Sequence, residues 1–167
     1  YGEYCYPEVD LLIALLDTDS FVLDVGANIG SHTLGFAPYV SKVVAFEPDP
    51  ECYDLLANNV GMQDRSVGRK ISINPIALSD NVQEVSTQFD YGKTKVTPGG
   101  SIVQTKLDNI KGFPRIDLIK IDVEGYDEVV VAGIVKMIPD DFEIILVCES
   151  WGSEIYPCLL EKDIVER

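Results

Sequence analysis

Residues 21–34 read FVLDVGANIGSHTL, an apolar run broken once by Asp24, a turn carrying Gly26 and Gly30, and then the opening of a helix. Strand, glycine turn and helix in that order are what a parallel α/β sheet uses at a ligand site. Glycine lets a ligand approach the backbone, and ligands settle outside the carboxyl ends of the strands. Ser31 is the expected N-cap of a helix running to about Ala37, with Pro38 placed to stop it.

Working outward, Val9, Leu12, Ile13 and Leu16 recur at helical spacing upstream of the turn. Downstream, residues 42–46 form a second strand ending at Glu47-Pro48-Asp49-Pro50, where Asp49 caps and Pro50 opens a helix that carries Leu55 and Leu56 inward. Residues 71–76, 116–122 and 142–147 read as the third, fourth and fifth strands. Tyr126, Val129, Val130, Gly133, Ile134 and Met137 mark a helix stopped by Pro139, and Leu159 and Leu160 belong to a short final helical segment. Residues 80–105 differ in character, with turn signals at Tyr91-Gly92 and Pro98-Gly99-Gly100. They read as a hairpin or two short strands inserted where a crossover helix would otherwise run. The expected fold is α/β and Rossmann-like: a mostly parallel twisted sheet, helices on both faces, and a hairpin insertion before the fourth strand. One domain over 1–167 is expected, with a helical segment (1–20), a cofactor-binding half (21–80), the insertion (81–110) and an acceptor-side half (111–167).

A chain of 167 residues has room for one core rather than two. Its net charge of −15, with 13 basic residues scattered among 28 acidic ones, argues against nucleic acid as substrate, since a phosphate backbone calls for clustered Lys and Arg. No apolar run approaches the roughly 20 residues of a membrane helix, and no basic-then-apolar leader opens the chain, so no membrane insertion is expected. A start at Tyr1 reads as a processed form, a fragment or an excised domain. Cys5, Cys52, Cys148 and Cys158 make no CxxC pair and, beside a single histidine, no zinc pattern. Free thiols in a reducing, cytoplasmic setting are the expectation. Oligomeric state is left open.

Glu47 stands about twenty residues beyond the glycine turn, at the end of the second strand, where a carboxylate can accept hydrogen bonds from both hydroxyls of a ribose. Turn and carboxylate together suggest an adenosine-containing ligand. A nicotinamide site usually carries a middle glycine, replaced here by Asn28, and an anionic pyrophosphate would meet the charge of Asp24 two residues before Gly26. The ammonium and sulfonium of S-adenosylmethionine suit an acidic berth better. Two other readings stay open at this point: an NAD(P)-dependent oxidoreductase on a related sheet, and a non-catalytic S-adenosylmethionine-binding module.

The segments VLDVGANIGSHTL (22–34), AFEPDP (45–50), IALSD (76–80) and IDLIKIDVEGYD (116–127), in that order, resemble the FkbM-like methyltransferases, as does the opening YGEYCYPEVDLL (1–12). The resemblance implies a class I methyltransferase fold using S-adenosylmethionine, with members that O-methylate hydroxyls, so the implied acceptor is a small molecule or glycan. Position by position, it implies that Asp24, Gly26, Ala27, Asn28 and Gly30 hold the aminoacyl end of the cofactor. Glu47 would take the ribose, Pro48, Ile76 and Ala77 would flank the adenine, and Asp122 would lie beside the methionine moiety facing the acceptor. The resemblance also implies a closing antiparallel strand pair; this chain ends soon after its fifth strand, so either it is cut short or the sheet edge is completed differently.

Methyl transfer is an in-line displacement, and a hydroxyl acceptor must also lose a proton. Asp122, Glu124, Glu149 and His32 are the candidates for that chemistry. Each has a structural alternative: capping of the following helix for Asp122, helix-dipole stabilisation for Glu124, a hydrogen-bonded core role for His32. Glu149 with Asp122 and Glu124 has the oxygen chemistry for Mg²⁺, but metal-free carboxylates are the reading taken. Trp151, Tyr156 and Tyr91 are either acceptor-pocket aromatics or ordinary packing.

Overall fold

The computed structural model describes residues 6–90, 93–107, 115–123, 127–135 and 144–148. Glu124 and Glu149, the aromatics Tyr91, Trp151 and Tyr156, Cys5 and Cys158, and the expected final helical segment lie outside the described residues. So do Tyr126, Met137 and Pro139.

Among the described residues five strands form a parallel sheet in the order β3-β2-β1-β8-β9: β1 (Phe21–Val25), β2 (Lys42–Phe46), β3 (Ile71–Asn74), β8 (Leu118–Ile121) and β9 (Ile145–Cys148). β1 is central, pairing with β2 on one side and β8 on the other, so the strand order reverses at its carboxyl end. That is the crevice a ligand uses in such sheets.

Alternation along the strands divides the core into two faces. Val22, Val43 and Leu118 are fully buried against Val9 and Leu12 of α1 (Tyr6–Ile13) and Phe36 of α2 (Ser31–Phe36). Leu23, Val25, Phe46, Ile119 and Ile121 face the other way, against Val130, Val131 and Ile134 of α5 (Asp127–Val135). Each such side chain contributes about 1.5–3 kcal/mol relative to exposure. α3 (Pro50–Gly61) shares the first face, seating Leu56 on Ala45 and Ala27. Leu55 departs from expectation: it is 52% exposed, because one residue turns a helix by about 100° and only one of the two neighbours can face the sheet. Asp49 caps α3 as expected, accepting from Glu51 N and Cys52 N, with Pro50 opening the helix. The cap of α2 is Gly30 rather than Ser31. Gly30 holds φ 99°, which serine adopts only with strain, and Ser31 is already helical.

The inserted region is richer than a hairpin. β5 (Gln83–Asp90) and β6 (Lys93–Pro98) form the hairpin, β7 (Ile102–Thr105) pairs antiparallel with β5, and β4 (Ala77–Leu78) pairs parallel with β7. Residues 71–76 are therefore not one strand: β3 ends at Asn74, whose side-chain amide donates to Ala45 O, and the chain crosses to the second sheet. A short helix, α4 (Arg65–Gly68), precedes β3 without a sequence signal that we read. No described helix is long and apolar enough to cross a membrane.

Candidate active site

The turn between β1 and α2 is built by backbone geometry that few residues allow. Gly26 has φ 78° and Asn28 φ 50°, and Gly26 N and Ala27 N both donate to Phe46 O of β2 at 3.0 Å. A Cβ on Gly26 would lie 1.8 Å from Asp122 O, so this glycine is required by the packing of the turn on the end of β8. Asn28 spans the turn by accepting from Ile29 N through its own Oδ1.

Glu47 closes β2 and is 3% exposed. Its Oε2 accepts from Asn28 N at 2.7 Å and its Oε1 from Asp49 N at 2.8 Å, so the carboxylate locks the glycine turn to the cap of α3. Each oxygen keeps a further lone pair for another donor. Burial pushes the Glu47 carboxyl above the usual carboxylate range; the N–H donors of Asp49 and Asn28 oppose this, and the nearby charges of Asp49 and Asp24 add to it.

A cleft opens at this point. Gly26, Asn28, Glu47, Pro48, Ile76, Ala77 and Asp122 line it, all expected from sequence. Val96 and Gln104 of the second sheet also form its wall and were not expected. Gln104 is almost fully buried and donates through Nε2 to Asn81 Oδ1, so the insertion supplies one side of this cleft.

Three other expected cofactor residues stand behind the wall. Ala27 packs on Leu56, and Gly30 is pressed against the same leucine. Asp24 is completely buried: its position on β1 points it toward α2, where Thr33 Oγ1 donates to Oδ2 at 2.6 Å. Asp24 was expected to give the cleft its negative charge; in the structure it does not line the cleft, and it faces Lys120, a residue the sequence reading passed over. β8 is not apolar throughout: Lys120 is the register partner of Asp24 and is 4% exposed. Its Nζ lies 3.4 Å from Asp24 Oδ1 and 3.4 Å from Asp122 Oδ2, and donates to Gly26 O at 3.2 Å. The ammonium thus makes one hydrogen bond, to Gly26 O, and an ion pair with each carboxylate, while the buried Asp24 Oδ1 has the ion pair but no hydrogen bond. Burial alone would lower the Lys120 pKa, but the Asp24 and Asp122 carboxylates outweigh it and hold the group above the usual lysine value. The signal was present: one charge in each of two strands otherwise buried on both faces demands a partner.

Asp122 is one-third exposed and lines the cleft. Beside it, Val123 N donates to Asp127 Oδ1 of α5 at 3.1 Å. His32 is not in the cleft wall. It is 8% exposed and packs beside Phe36, with Nε2 3.4 Å from Glu8 Oε2 of α1, so a role as base at this cleft finds no geometric support. Among the described residues no three His, Cys, Asp or Glu side chains group to hold a metal ion.

A parallel sheet reversing at β1, a glycine turn and a carboxylate at the end of β2 make a Rossmann-like domain with a nucleoside-type site, and solved class I methyltransferases share the fold. A methyltransferase FkbM from Methylobacillus flagellatus KT superposes with TM-score 0.65 at 18% identity, covering 89% of this chain and 37% of its own. A precorrin-6y C5,15-methyltransferase from Geobacter metallireducens GS-15 gives 0.59 at 15% identity, covering 93% and 68%. More particularly, the methyltransferase FkbM domain matches residues 24–156, and the chain belongs to that family. Among its relatives, the methyltransferase sdnD of Sordaria araneosa is 27% identical over 90% of this chain and 72% of its own. The hexuronic acid methyltransferase AglP of Haloferax volcanii is 30% identical over 75% of this chain and 54% of its own. The chain thus spans about half the length of the second relative and just over a third of the M. flagellatus chain. Family membership decides for a methyltransferase over an oxidoreductase.

Proposed function

We propose that this domain transfers a methyl group from S-adenosylmethionine to a hydroxyl of a small molecule or glycan. The observation that carries the reading is Glu47. A buried carboxylate fixed by two backbone N–H groups at the reversal point keeps unused acceptor capacity beside the cleft, which suits two ribose hydroxyls. Pro48, Ile76, Ala77 and Val96 offer apolar surface for a flat base, and Asp122 offers a carboxylate for the ammonium of the aminoacyl end. The donor supplies an activated methyl on sulfonium.

The chain's own contribution is positioning. Holding acceptor oxygen, methyl carbon and sulfur in line accounts for a large part of such a rate, roughly 7–11 kcal/mol in favourable cases. Asp122 is the carboxylate within the cleft able to orient the ammonium or take the acceptor's proton. Glu124 and Glu149 stay proposals for the acceptor side. The relative named as a hexuronic acid methyltransferase supports a sugar acceptor.

Thermal unfolding with S-adenosylhomocysteine tests the cofactor. At a hundred times Kd a ligand of the native state adds about 2.7 kcal/mol, which in a domain of this size raises Tm by roughly 5–11 °C. NADH at the same concentration should leave Tm unchanged. No shift at millimolar S-adenosylhomocysteine refutes the assignment. Transfer of a labelled methyl group to hexuronic acids and neutral sugars then tests the acceptor class.

A further inference from the structure

Asp24, Lys120 and Asp122 form a row in which the first two are buried and only Asp122 reaches the cleft. Asp24 is completely buried and Lys120 4% exposed, and neither lines the cleft; Asp122 does. Lys120 sits 3.4 Å from each carboxylate, so the row carries two negative charges and one positive, a net of −1. Were Asp24 neutral, the ammonium would be committed to Asp122 alone and the charge facing the cleft would be cancelled.

We propose that Asp24 and Lys120 are positioning residues that never touch the donor: Asp24 neutralises Lys120, and Asp122 is thereby left with an uncancelled negative charge to present to a cationic methyl donor. The inference rests on the S-adenosylmethionine reading above. It reverses the direct role expected for Asp24. The neighbouring register of Asp24 and Lys120 puts the two side chains on one face of the sheet, and Asp122 follows two residues later at the strand's end. Lys120 also holds Gly26 O, so a scaffolding role for the ion pair is the rival account.

The two accounts separate on charge. S-adenosylmethionine carries one more positive charge than S-adenosylhomocysteine, and the molecules otherwise differ by a methyl group. Asp24→Asn brings the row to zero, while Asp24→Asn with Lys120→Met restores −1 without the ion pair. One unit charge acting over about 10 Å at an effective dielectric of about 20 changes affinity on the order of tenfold. Calorimetric titration of both ligands should show Asp24→Asn weakening the donor about tenfold more than the product. The double variant should return the donor-to-product ratio to within about twofold of the wild-type value. A buried pair exchanged for groups of similar volume often leaves stability unchanged or higher, so the double variant is expected to fold. If Asp24→Asn alone does not fold, the double variant decides: a retained ratio supports the inference and a lost one overturns it. Equal weakening of both ligands in Asp24→Asn, with no recovery in the double variant, makes the pair a scaffold only. If the wild-type chain binds neither ligand, the donor reading itself fails and takes this inference with it.

Discussion

Replacing Gly26 with alanine should damage this domain more than its single added methyl group suggests. At φ 78° an L side chain crowds its own backbone, which costs about 1–2 kcal/mol. The new Cβ would lie 1.8 Å from Asp122 O and 2.8 Å from Asp122 C, both backbone atoms that no rotamer change can move. Reaching even the 3.0 Å that real Cβ contacts respect requires a shift of 1.2 Å (3.0 − 1.8) between the turn and the end of β8. That shift strains the bond from Asp122 N to Val25 O and the hold of Lys120 on Gly26 O. Adding the overpacking cost of about 1–3 kcal/mol gives a total loss of roughly 2–5 kcal/mol. In a domain of this size that lowers Tm by roughly 4–20 °C. Circular dichroism melts and urea titrations measure it directly. Gly61→Ala is the control: a Cβ there meets nothing within 4 Å at the end of α3, and stability should rise by about 0.5–1 kcal/mol. A Gly26→Ala protein melting within about 2 °C of wild type would refute the argument that the turn is closed by contact with β8.

Because burial raises the Glu47 carboxyl above its ordinary 4.5, folding favours its protonated form, and the group's contribution to stability falls as pH rises from 4.5 through the raised value. Urea titrations at several pH values should therefore show wild type losing stability relative to Glu47→Gln as pH increases; a difference growing in the other direction contradicts the assignment. Asp49→Ala removes the α3 cap and the acceptor for Thr87 Oγ1 of β5, and should cost about 1–3 kcal/mol in the same assay. Thr33→Val takes away the 2.6 Å hydrogen bond to the buried Asp24 carboxylate, and a loss of about 1–3 kcal/mol is expected, with no loss meaning that Lys120 alone satisfies Asp24.

What could be read in advance was local. The strand, glycine turn and helix at 21–34, the Asp49-Pro50 cap and the carboxylate of Glu47 all announce themselves within a few residues, because backbone freedom, capping and strand ends are short-range matters. What could not be read depends on strands meeting across the chain. Asp24 and Lys120 are far apart in sequence, and only the β1–β8 register makes them partners. The second role of Glu47, bonding Asn28 N, likewise exists only once the turn folds back on β2. The polar stretch at 80–105 was visible as an insertion, but its place beside the cleft was not. Val96 and Gln104 reach the wall through pairings among β4, β5, β6 and β7 that alternation alone does not determine. For His32 two roles were open, base or core residue, because closeness in sequence to the glycine turn says nothing about which side of α2 a residue occupies; it packs beside Phe36.

A crystal structure of this chain with S-adenosylhomocysteine puts the whole account at risk in one measurement. We expect the ribose hydroxyls within hydrogen-bonding distance of Glu47, the base between Pro48 with Ile76 and the Val96–Gln104 wall, and the aminoacyl end at Asp122 with Asp24 still enclosed behind Lys120. Ligand density outside this cleft, or a ribose out of reach of Glu47, would contradict it.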